Sequence, residues 1–137
     1  MNENKNVGFL KTVLMIYAIV CIIYGIGYLF VPATLVEMAG ETPVFNGWLR
    51  WSGGVLIALG FGAILVYLDP RSQGIFVKTI FAGCILCGLG LLWAMLELPE
   101  DAKTWFTALP MIIVFILAIL LWLGRVKAKE ILYPKKD

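Results

Sequence analysis

The chain has 137 residues, of which 61% are hydrophobic and only 15% are charged. A soluble domain is about 45–50% apolar, so this composition argues against an ordinary soluble globular domain. The formal net charge is only +2, and no helix–loop pattern typical of nucleic-acid binding is present, so we expect no nucleic-acid partner.

Charged residues are absent from four long stretches of the chain, which cover residues 12–36, 51–68, 79–96 and 104–124. Each stretch is about long enough for a helix to cross the roughly 30 Å hydrocarbon core of a bilayer. Lipid cannot satisfy backbone polar groups, so a spanning segment must be a helix or part of a closed barrel. The period-two alternation of barrel strands is missing, which favours helices.

The predicted fold is therefore an all-α membrane protein, a four-helix transmembrane bundle. Residues 1–137 form one transmembrane domain with spans at about 8–31, 46–68, 74–97 and 102–124 and a basic tail at 125–137. With both termini on one side, every Lys and Arg except Arg50 and Lys103 shares that side. The positive-inside rule then predicts that both termini are cytoplasmic. The first apolar run is too long for a secretory signal, so we expect helix 1 to be retained.

Helix 1 carries a polar and aromatic face formed by Tyr17, Cys21, Tyr24 and Tyr28, which follow one another at spacings of three and four residues. Such spacing places side chains on one side of a helix. This face is either an aromatic packing surface or the wall of a ligand pocket. Proline disfavours helix at the residue before it, so helix 1 should end before Pro32. Residues 32–39 then predict a short helix along the membrane interface.

Helices 2 and 3 each carry a face rich in small residues. On helix 2 the face is Asn46, Arg50, Gly53, Ile57, Gly60, Ile64 and Tyr67, with a neighbouring row of Arg50, Gly54, Ala58 and Gly62. On helix 3 it is Ile80, Gly83, Cys87, Gly90, Ala94 and Glu97. Small residues let membrane helices approach closely, so we expect both faces to pack against other helices. Arg50 and Glu97 would then point inward at similar depth.

An ionisable group inside a membrane bundle is expensive and is usually paired. We therefore expect Arg50 to be neutralised, with Glu97 as the first candidate and Glu37 as the second. The pair could be a structural ion pair that fixes the packing, or Arg50 could extend to the surface. Alternatively this region could be a ligand-binding site for an anion or a headgroup at the outer mouth. Its candidate residues are Arg50, Glu97, Tyr28, Tyr24, Trp48 and Trp51.

Cys84-Ile85-Leu86-Cys87 is a C-x-x-C sequence, the pattern of thiol oxidoreductases. In those enzymes the pair lies at a solvated helix end, whereas Cys84 and Cys87 fall about halfway across a span, so redox chemistry is a remote hypothesis. The odd count of three cysteines argues against a disulfide framework. The absence of histidine excludes the usual haem ligation, most zinc catalysis and histidine-based triads. We expect no catalytic residue, no metal and no cofactor.

Two segments carry a resemblance to a known group. They are Tyr28-Leu29-Phe30-Val31-Pro32 and, after a short acidic loop, Arg50-Trp51-Ser52-Gly53-Gly54 with Gly60. Together they resemble small bacterial four-span proteins grouped as a domain of unknown function, which are similar to the broader DoxX-like class. The resemblance is best over residues 8–68. An arginine common in helix 3 of such proteins is missing here. The resemblance implies a four-helix bundle in a bacterial inner membrane and almost nothing about a reaction.

Three functions are compatible with these residues. The first is a non-enzymatic accessory or oligomerising subunit that associates through its glycine faces, with a homo-oligomer or another membrane protein as partner. The second is a bundle that binds a lipid or another small hydrophobic or anionic ligand near Arg50, in the manner of DoxX-like or sterol-isomerase-like proteins. The third is a thiol redox protein that uses Cys84 and Cys87. Membrane lipids are expected partners in every case.

Overall fold

A computed structural model describes residues 3–42, 47–97 and 103–134. Within these ranges the chain forms six helices: α1 (Glu3–Phe30), α2 (Pro32–Met38), α3 (Gly47–Leu68), α4 (Gly74–Leu96), α5 (Thr104–Lys127) and α6 (Lys129–Leu132). Four of them, α1, α3, α4 and α5, are long and apolar enough to cross a membrane. The predicted fold of four membrane spans with a short helix after the first is thereby confirmed.

The helix boundaries extend further at the charged ends than the predicted spans. Helix α1 begins at Glu3 rather than near residue 8, and α5 continues to Lys127 rather than ending near residue 124. The spans were delimited by the absence of charge, whereas a helix can continue into the polar interface where charged side chains are solvated. The predicted span starts at 46 and 102, and tail residues 135–137, lie outside the described residues.

The four long helices pack as two antiparallel pairs. Helix α1 packs along α3, α4 packs along α5, and the pairs are joined by a contact between α1 and α5. We call the end where α1 begins and α5 ends the terminal end, and the opposite end the distal end. Among the described residues, α3 and α4 lack a comparable length of mutual packing. Their clearest contact is near the terminal end, where the Phe76 ring lies over Gly62.

The buried core occupies the terminal half of the bundle. Its largest fully buried side chains are Leu10, Val13, Leu14, Val77, Ile80, Leu121 and Leu132. Each of these residues lies near the terminal end of its helix. The fully buried side chains are therefore not spread evenly along the lengths of the spans. The terminal half is therefore closely packed, and the helices have fewer buried neighbours towards the distal end.

Glycines bring α1 and α3 into backbone contact. A Cβ placed on Gly53 would lie 2.7 Å from both the carbonyl oxygen of Gly25 and the backbone nitrogen of Leu29. A Cβ on Gly25 would lie 2.9 Å from the carbonyl oxygen of Gly53. About two helical turns further on, a Cβ on Gly60 would meet the carbonyl oxygen of Ala18 at 3.1 Å. The predicted packing face of helix 2 is thus the face that contacts α1.

The predicted packing face of helix 3 is correct at Ile80 but wrong from Cys87 onwards. The buried residues of α4 are Gly74, Val77, Ile80, Cys84 and Gly88. Cys87 and Gly90, which were predicted to pack, are exposed. The partner explains the difference, because the ring of Phe115 on α5 lies over Gly88, within 3.0 Å of where a Cβ would be. The Phe115 ring could have packed on any of several glycines in α4. The spacing of these glycines alone does not indicate which one it contacts.

Apolar side chains also cover the outside of the bundle. On α1 an exposed row consists of Ile16, Ile19, Ile23 and Ile26, with between 42% and 63% of each residue exposed. In water such a row would be a large unfavourable surface. In a bilayer the same side chains face hydrocarbon, in agreement with four membrane-spanning helices.

The tail after α5 folds back onto the bundle. Leu132 in α6 is only 1% exposed, and the carbonyl oxygen of Ile131 accepts a hydrogen bond from the backbone N–H of Ser72 at 3.0 Å. The Tyr133 hydroxyl donates to the carbonyl oxygen of Gly74 at 2.7 Å. The described part of the predicted basic tail is therefore an integral element that connects α5 to the turn between α3 and α4.

Helix α2 lies at the distal end. A Cβ on Gly27 would come within 3.2 Å of the Leu35 side chain, so α2 turns back against the last part of α1. The carbonyl oxygen of Ala39, just after α2, accepts a hydrogen bond from the backbone N–H of Lys103 at 2.9 Å. The segment after α2 is thereby attached to the start of α5.

The glycine contact between α1 and α3 can be tested with two adjacent substitutions. We expect Gly53→Ala to lower the free energy of unfolding by about 1–3 kcal/mol, because the methyl group meets backbone atoms that cannot rotate away. Gly54→Ala is the matched control. No atom lies within 4 Å of a Cβ at Gly54, so this change should cost nothing or should stabilise the helix slightly. Thermal unfolding midpoints in a mild detergent would compare them, and equal midpoints would refute the close approach.

Candidate functional site

A cavity of about 440 Å³ lies between the four spans in the distal half of the bundle. Its walls come from all four long helices. The lining residues are Tyr17, Val20, Cys21, Tyr24 and Tyr28 of α1, Trp51, Ser52, Val55, Leu56 and Leu59 of α3, Cys87, Gly90 and Leu91 of α4, and Pro110, Ile113, Val114 and Leu117 of α5. The cavity begins beside the closely packed terminal half and opens towards the surface.

The arrangement of the helices accounts for the cavity. Helix α3 is held against α1 by glycine contacts, and α4 is held against α5, whereas α3 and α4 lack comparable mutual packing among the described residues. The space between the pairs is filled near the terminal end, where Phe76 covers Gly62. Further along α4, Gly90 contributes no side chain, and no atom lies within 4 Å of a Cβ placed there. This part of the bundle is consequently left open.

The aromatic face of α1 lies partly in the core and partly on the cavity wall. Tyr17 and Cys21 are each only 5% exposed and belong to the core. Tyr24 and Tyr28 are half-buried and line the cavity, with ring centroids 6.0 Å apart and an edge-to-face angle of 69°. Edge-to-face packing of this kind is favourable and restricts both rings. The face thus packs in the core at Tyr17 and Cys21 and forms the cavity wall towards the distal end.

The cavity wall is apolar and carries no formal charge. None of its lining residues is Asp, Glu, Lys or Arg. Its polar atoms are the tyrosine hydroxyls, two thiols and the hydroxyl of Ser52, which donates to the carbonyl oxygen of Trp48 at 2.8 Å. Burying an unpaired charge against such a wall is costly, whereas an uncharged apolar molecule would be accommodated.

Arg50 does not line this cavity and instead forms a hydrogen bond with the end of α1. Its guanidinium donates a hydrogen bond to the carbonyl oxygen of Leu29 at 3.1 Å. Carbonyls in the last turn of a helix, such as that of Leu29, lack their usual N–H partner. The neighbouring carbonyl of Tyr28 also lacks one, because Pro32 has no N–H. A positive charge here also complements the helix dipole. Arg50 is therefore a C-terminal cap for α1, supplied by α3.

The other predicted residues at the outer mouth are separated by the fold. Glu97 follows α4, and Glu37 lies on α2; both are exposed, as is Arg50, so the predicted inward orientation of Arg50 and Glu97 is wrong. The physical reason is that α3 packs along α1 and α4 along α5, so the described parts of α3 and α4 do not pack face to face. Trp48 is 63% exposed and does not line the cavity, whereas Trp51 does. The Arg50–Glu97 ion pair stays a prediction.

The cysteines differ in their surroundings. Cys21 and Cys84 are buried and Cys87 is exposed, and all three are free thiols. Cys21 and Cys87 line the cavity, while Cys84 lies in the core. Among the described residues, no group of three or more His, Cys, Asp or Glu side chains could hold a metal ion. The redox hypothesis for Cys84 and Cys87 stays a prediction.

Several cavity residues were not identified from the sequence. The wall formed by α5, which contains Pro110, Ile113 and Val114, carries no polar group that would single it out. Two signals could have indicated it: a proline within a span, and Gly90 opposite it on α4. Neither signal is specific without knowledge of which helices are neighbours.

Comparisons with protein-family models, with curated proteins and with solved structures found no match to this chain. The fold and the cavity therefore stand on the residues described above. The resemblance to DoxX-like proteins stays a prediction.

The role of Arg50 can be separated from the predicted ion pair with single and double variants. We expect Arg50→Gln to lower the free energy of unfolding by on the order of 1 kcal/mol, because a charge-assisted hydrogen bond to the Leu29 carbonyl is lost. Glu97→Gln should leave the free energy of unfolding within about 0.5 kcal/mol of the wild-type value, because Glu97 is an exposed surface residue. In a double-mutant cycle measured by chemical unfolding in detergent, the coupling between them should be close to zero. A coupling above about 1 kcal/mol would instead establish the ion pair.

Proposed function

We propose that this protein is a non-enzymatic membrane protein that binds an uncharged, predominantly apolar molecule in the distal cavity. The observation that carries this proposal is a cavity of about 440 Å³ whose wall is apolar and, among the described residues, contains no charged side chain. Binding sites for small molecules are usually concave, mostly apolar and about 300–1,000 Å³ in volume, with few polar groups. The cavity has each of these properties.

The position of the polar atoms supports a ligand with one polar end. Tyr24 and Tyr28 lie towards the distal end of the cavity, where their hydroxyls can donate or accept hydrogen bonds. Deeper in the cavity the wall is mostly aliphatic, as at Leu59 and Leu117, and Tyr17 and Cys21 there are only 5% exposed. An alcohol or a carbonyl at the end of an apolar chain or ring system suits this distribution.

The expected setting of the site follows from charge and from the resemblance noted above. We propose that the protein belongs to a bacterial inner membrane, with both termini in the cytoplasm and a general DoxX-like character. The distal cavity would then lie in the outer leaflet half of the bilayer. Trp51, which is 73% exposed, lies at its edge, so a ligand could enter from the lipid phase.

Cys87 provides a native reporter for occupancy of the cavity. It lines the cavity and is exposed, whereas Cys21 and Cys84 are buried. We expect farnesol, an uncharged apolar alcohol, to slow the labelling of Cys87 by monobromobimane in detergent-extracted protein. Farnesyl phosphate has the same chain with added charge, and should require a roughly tenfold higher concentration because its charge must be desolvated. Peptide mass spectrometry would locate the label.

Two variants complete this experiment. Gly90→Leu places a side chain into the cavity and should abolish protection by farnesol. Gly54→Leu is the matched control, because Gly54 is exposed and does not line the cavity, and it should retain protection. Equal protection by farnesol and farnesyl phosphate, or protection that survives Gly90→Leu, would contradict the proposal.

The accessory or oligomerising function is the second candidate, and one observation favours it. Gly54 and Ala58 lie one turn apart on α3, and both are exposed. Nothing lies within 4 Å of a Cβ at Gly54, in contrast to the glycines that contact α1. Small residues at this spacing are how membrane helices associate closely. A second copy of the chain or another membrane protein could pack there.

This second function predicts an oligomer that depends on α3. If it is correct, Ala58→Leu should convert the oligomer to a monomer, because the larger side chain keeps the helices apart. Ala82→Leu, on the exposed surface of α4, is the control and should have no effect. Native mass spectrometry in mild detergent would report the mass. A wild-type chain that is monomeric in lipid nanodiscs and in detergent would eliminate this candidate.

A further inference from the structure

Two cationic side chains surround one aromatic ring at the terminal end. The ring belongs to Tyr133, whose hydroxyl donates to the carbonyl oxygen of Gly74 at 2.7 Å. The Nζ atom of Lys78 lies 5.1 Å from the ring centroid, and the Cζ atom of Arg125 lies 5.9 Å from it. Gly74 is in contact with the ring, and no side chain larger than hydrogen would fit there. The ring is thus held in place, and both cations lie within 6 Å of its centroid.

The described part of the chain does not fully satisfy the guanidinium of Arg125. Its Nε atom is buried and has no hydrogen-bond partner among the described residues. A buried donor without an acceptor is unfavourable, and polar atoms of this kind in folded proteins usually have a partner. Arg125 therefore calls for an acceptor that does not come from the described part of the chain.

The neighbouring carboxylates do not supply this acceptor. Within residues 3–42, 47–97 and 103–134, neither Lys78 nor Arg125 has a carboxylate partner at hydrogen-bond distance. Asp69 instead accepts a hydrogen bond from the backbone N–H of Arg71 at 3.1 Å, and Glu130 is exposed on α6. Both cations therefore lie beside one ring without a described carboxylate partner, and an anion bound near that ring would be attracted by both of them.

The position of these cations in the membrane identifies the anion. Arg125 lies in the last turn of α5, and Lys78 lies one turn into α4, so both are where the spans leave the hydrocarbon. Phosphate groups of lipids occupy this level of the bilayer. Towards the bilayer centre the exposed side chains are apolar, with Leu86 69% exposed on α4 and Trp122 48% exposed on α5. Acyl chains can lie along these residues.

We propose that Lys78, Arg125 and Tyr133 form a specific site for the phosphate group of an anionic phospholipid. Arg binds phosphate with paired hydrogen bonds, and Lys adds a point charge. The site lies at the end opposite the distal cavity, so it does not depend on the function proposed for that cavity.

Native mass spectrometry with phosphatidylglycerol and phosphatidylcholine tests this site. We expect the wild type to retain one phosphatidylglycerol molecule in preference to phosphatidylcholine. Lys78→Gln and Arg125→Gln should each weaken that binding roughly tenfold, equivalent to about 1.4 kcal/mol. Lys129→Gln is the control, because Lys129 is an exposed cation at the same end that does not contact the Tyr133 ring, and it should bind like the wild type.

Two results would overturn the proposal. One is an equal loss of phosphatidylglycerol in Lys129→Gln, which would indicate a general effect of positive charge. The other is displacement of the lipid by an equal concentration of glycerol 3-phosphate, which would indicate a site for soluble phosphates. If Arg125→Gln does not fold, Lys78→Gln still tests the proposal. Lys78 is exposed, so its replacement should not prevent folding. As an independent readout, phosphatidylglycerol should raise the melting temperature of the wild type more than that of Lys78→Gln.

Discussion

The close approach of α1 and α3 is the constraint on which the rest of the structure depends. At Gly25 and Gly53 the two backbones touch, and the next possible side chain, a methyl group, would not fit on either. This contact sets the position of α3 along α1. It also brings Arg50 to the last turn of α1, where the guanidinium hydrogen-bonds the Leu29 carbonyl. In lipid no hydrophobic effect presses helices together, so such contacts decide which helices become neighbours.

Helix α3 packs against α1, and α4 packs against α5. Because of this pairing, the bundle is not equally closely packed along its length. The two pairs are joined where α1 contacts α5, and the buried core lies in the terminal half. Towards the distal end the pairs separate and leave the cavity, whose wall resembles the lipid-facing surface in composition. Under the function proposed above, an apolar molecule would occupy this cavity. The absence of charge among the described lining residues would then select against ionised ligands.

At the terminal end several basic residues also contact aromatic rings. Besides the pair around Tyr133, Lys11 lies 5.4 Å from the Tyr67 ring centroid, and Lys127 lies 4.5 Å from that of Phe9. Cations over aromatic faces are worth about 0.5–1 kcal/mol each at exposed sites. Folding the tail onto the bundle thus anchors charge near the headgroup level while Leu132 completes the core.

The sequence by itself determined the spans, the short helix after the first span and the face of α3 that meets α1. Long charge-free runs can only be helices in lipid, and the glycines of that face lie at one helical spacing. The same reasoning failed on α4, where the buried face contains Gly88 instead of Gly90 because Phe115 of α5 selects it. Part of the cavity wall was predictable in the same way, because Tyr24 and Tyr28 share a helix face with the core residue Tyr17.

Only the tertiary structure decided which helices are neighbours, and therefore what each polar residue contacts. The sequence paired Arg50 with Glu97 because both end a row of small residues, whereas the fold gives Arg50 a backbone carbonyl on α1. The residues of α5 that line the cavity, and Tyr133 between Lys78 and Arg125, are likewise far apart along the chain from their partners. Periodicity reports the direction of a side chain about its own helix. It does not report which helix lies in that direction.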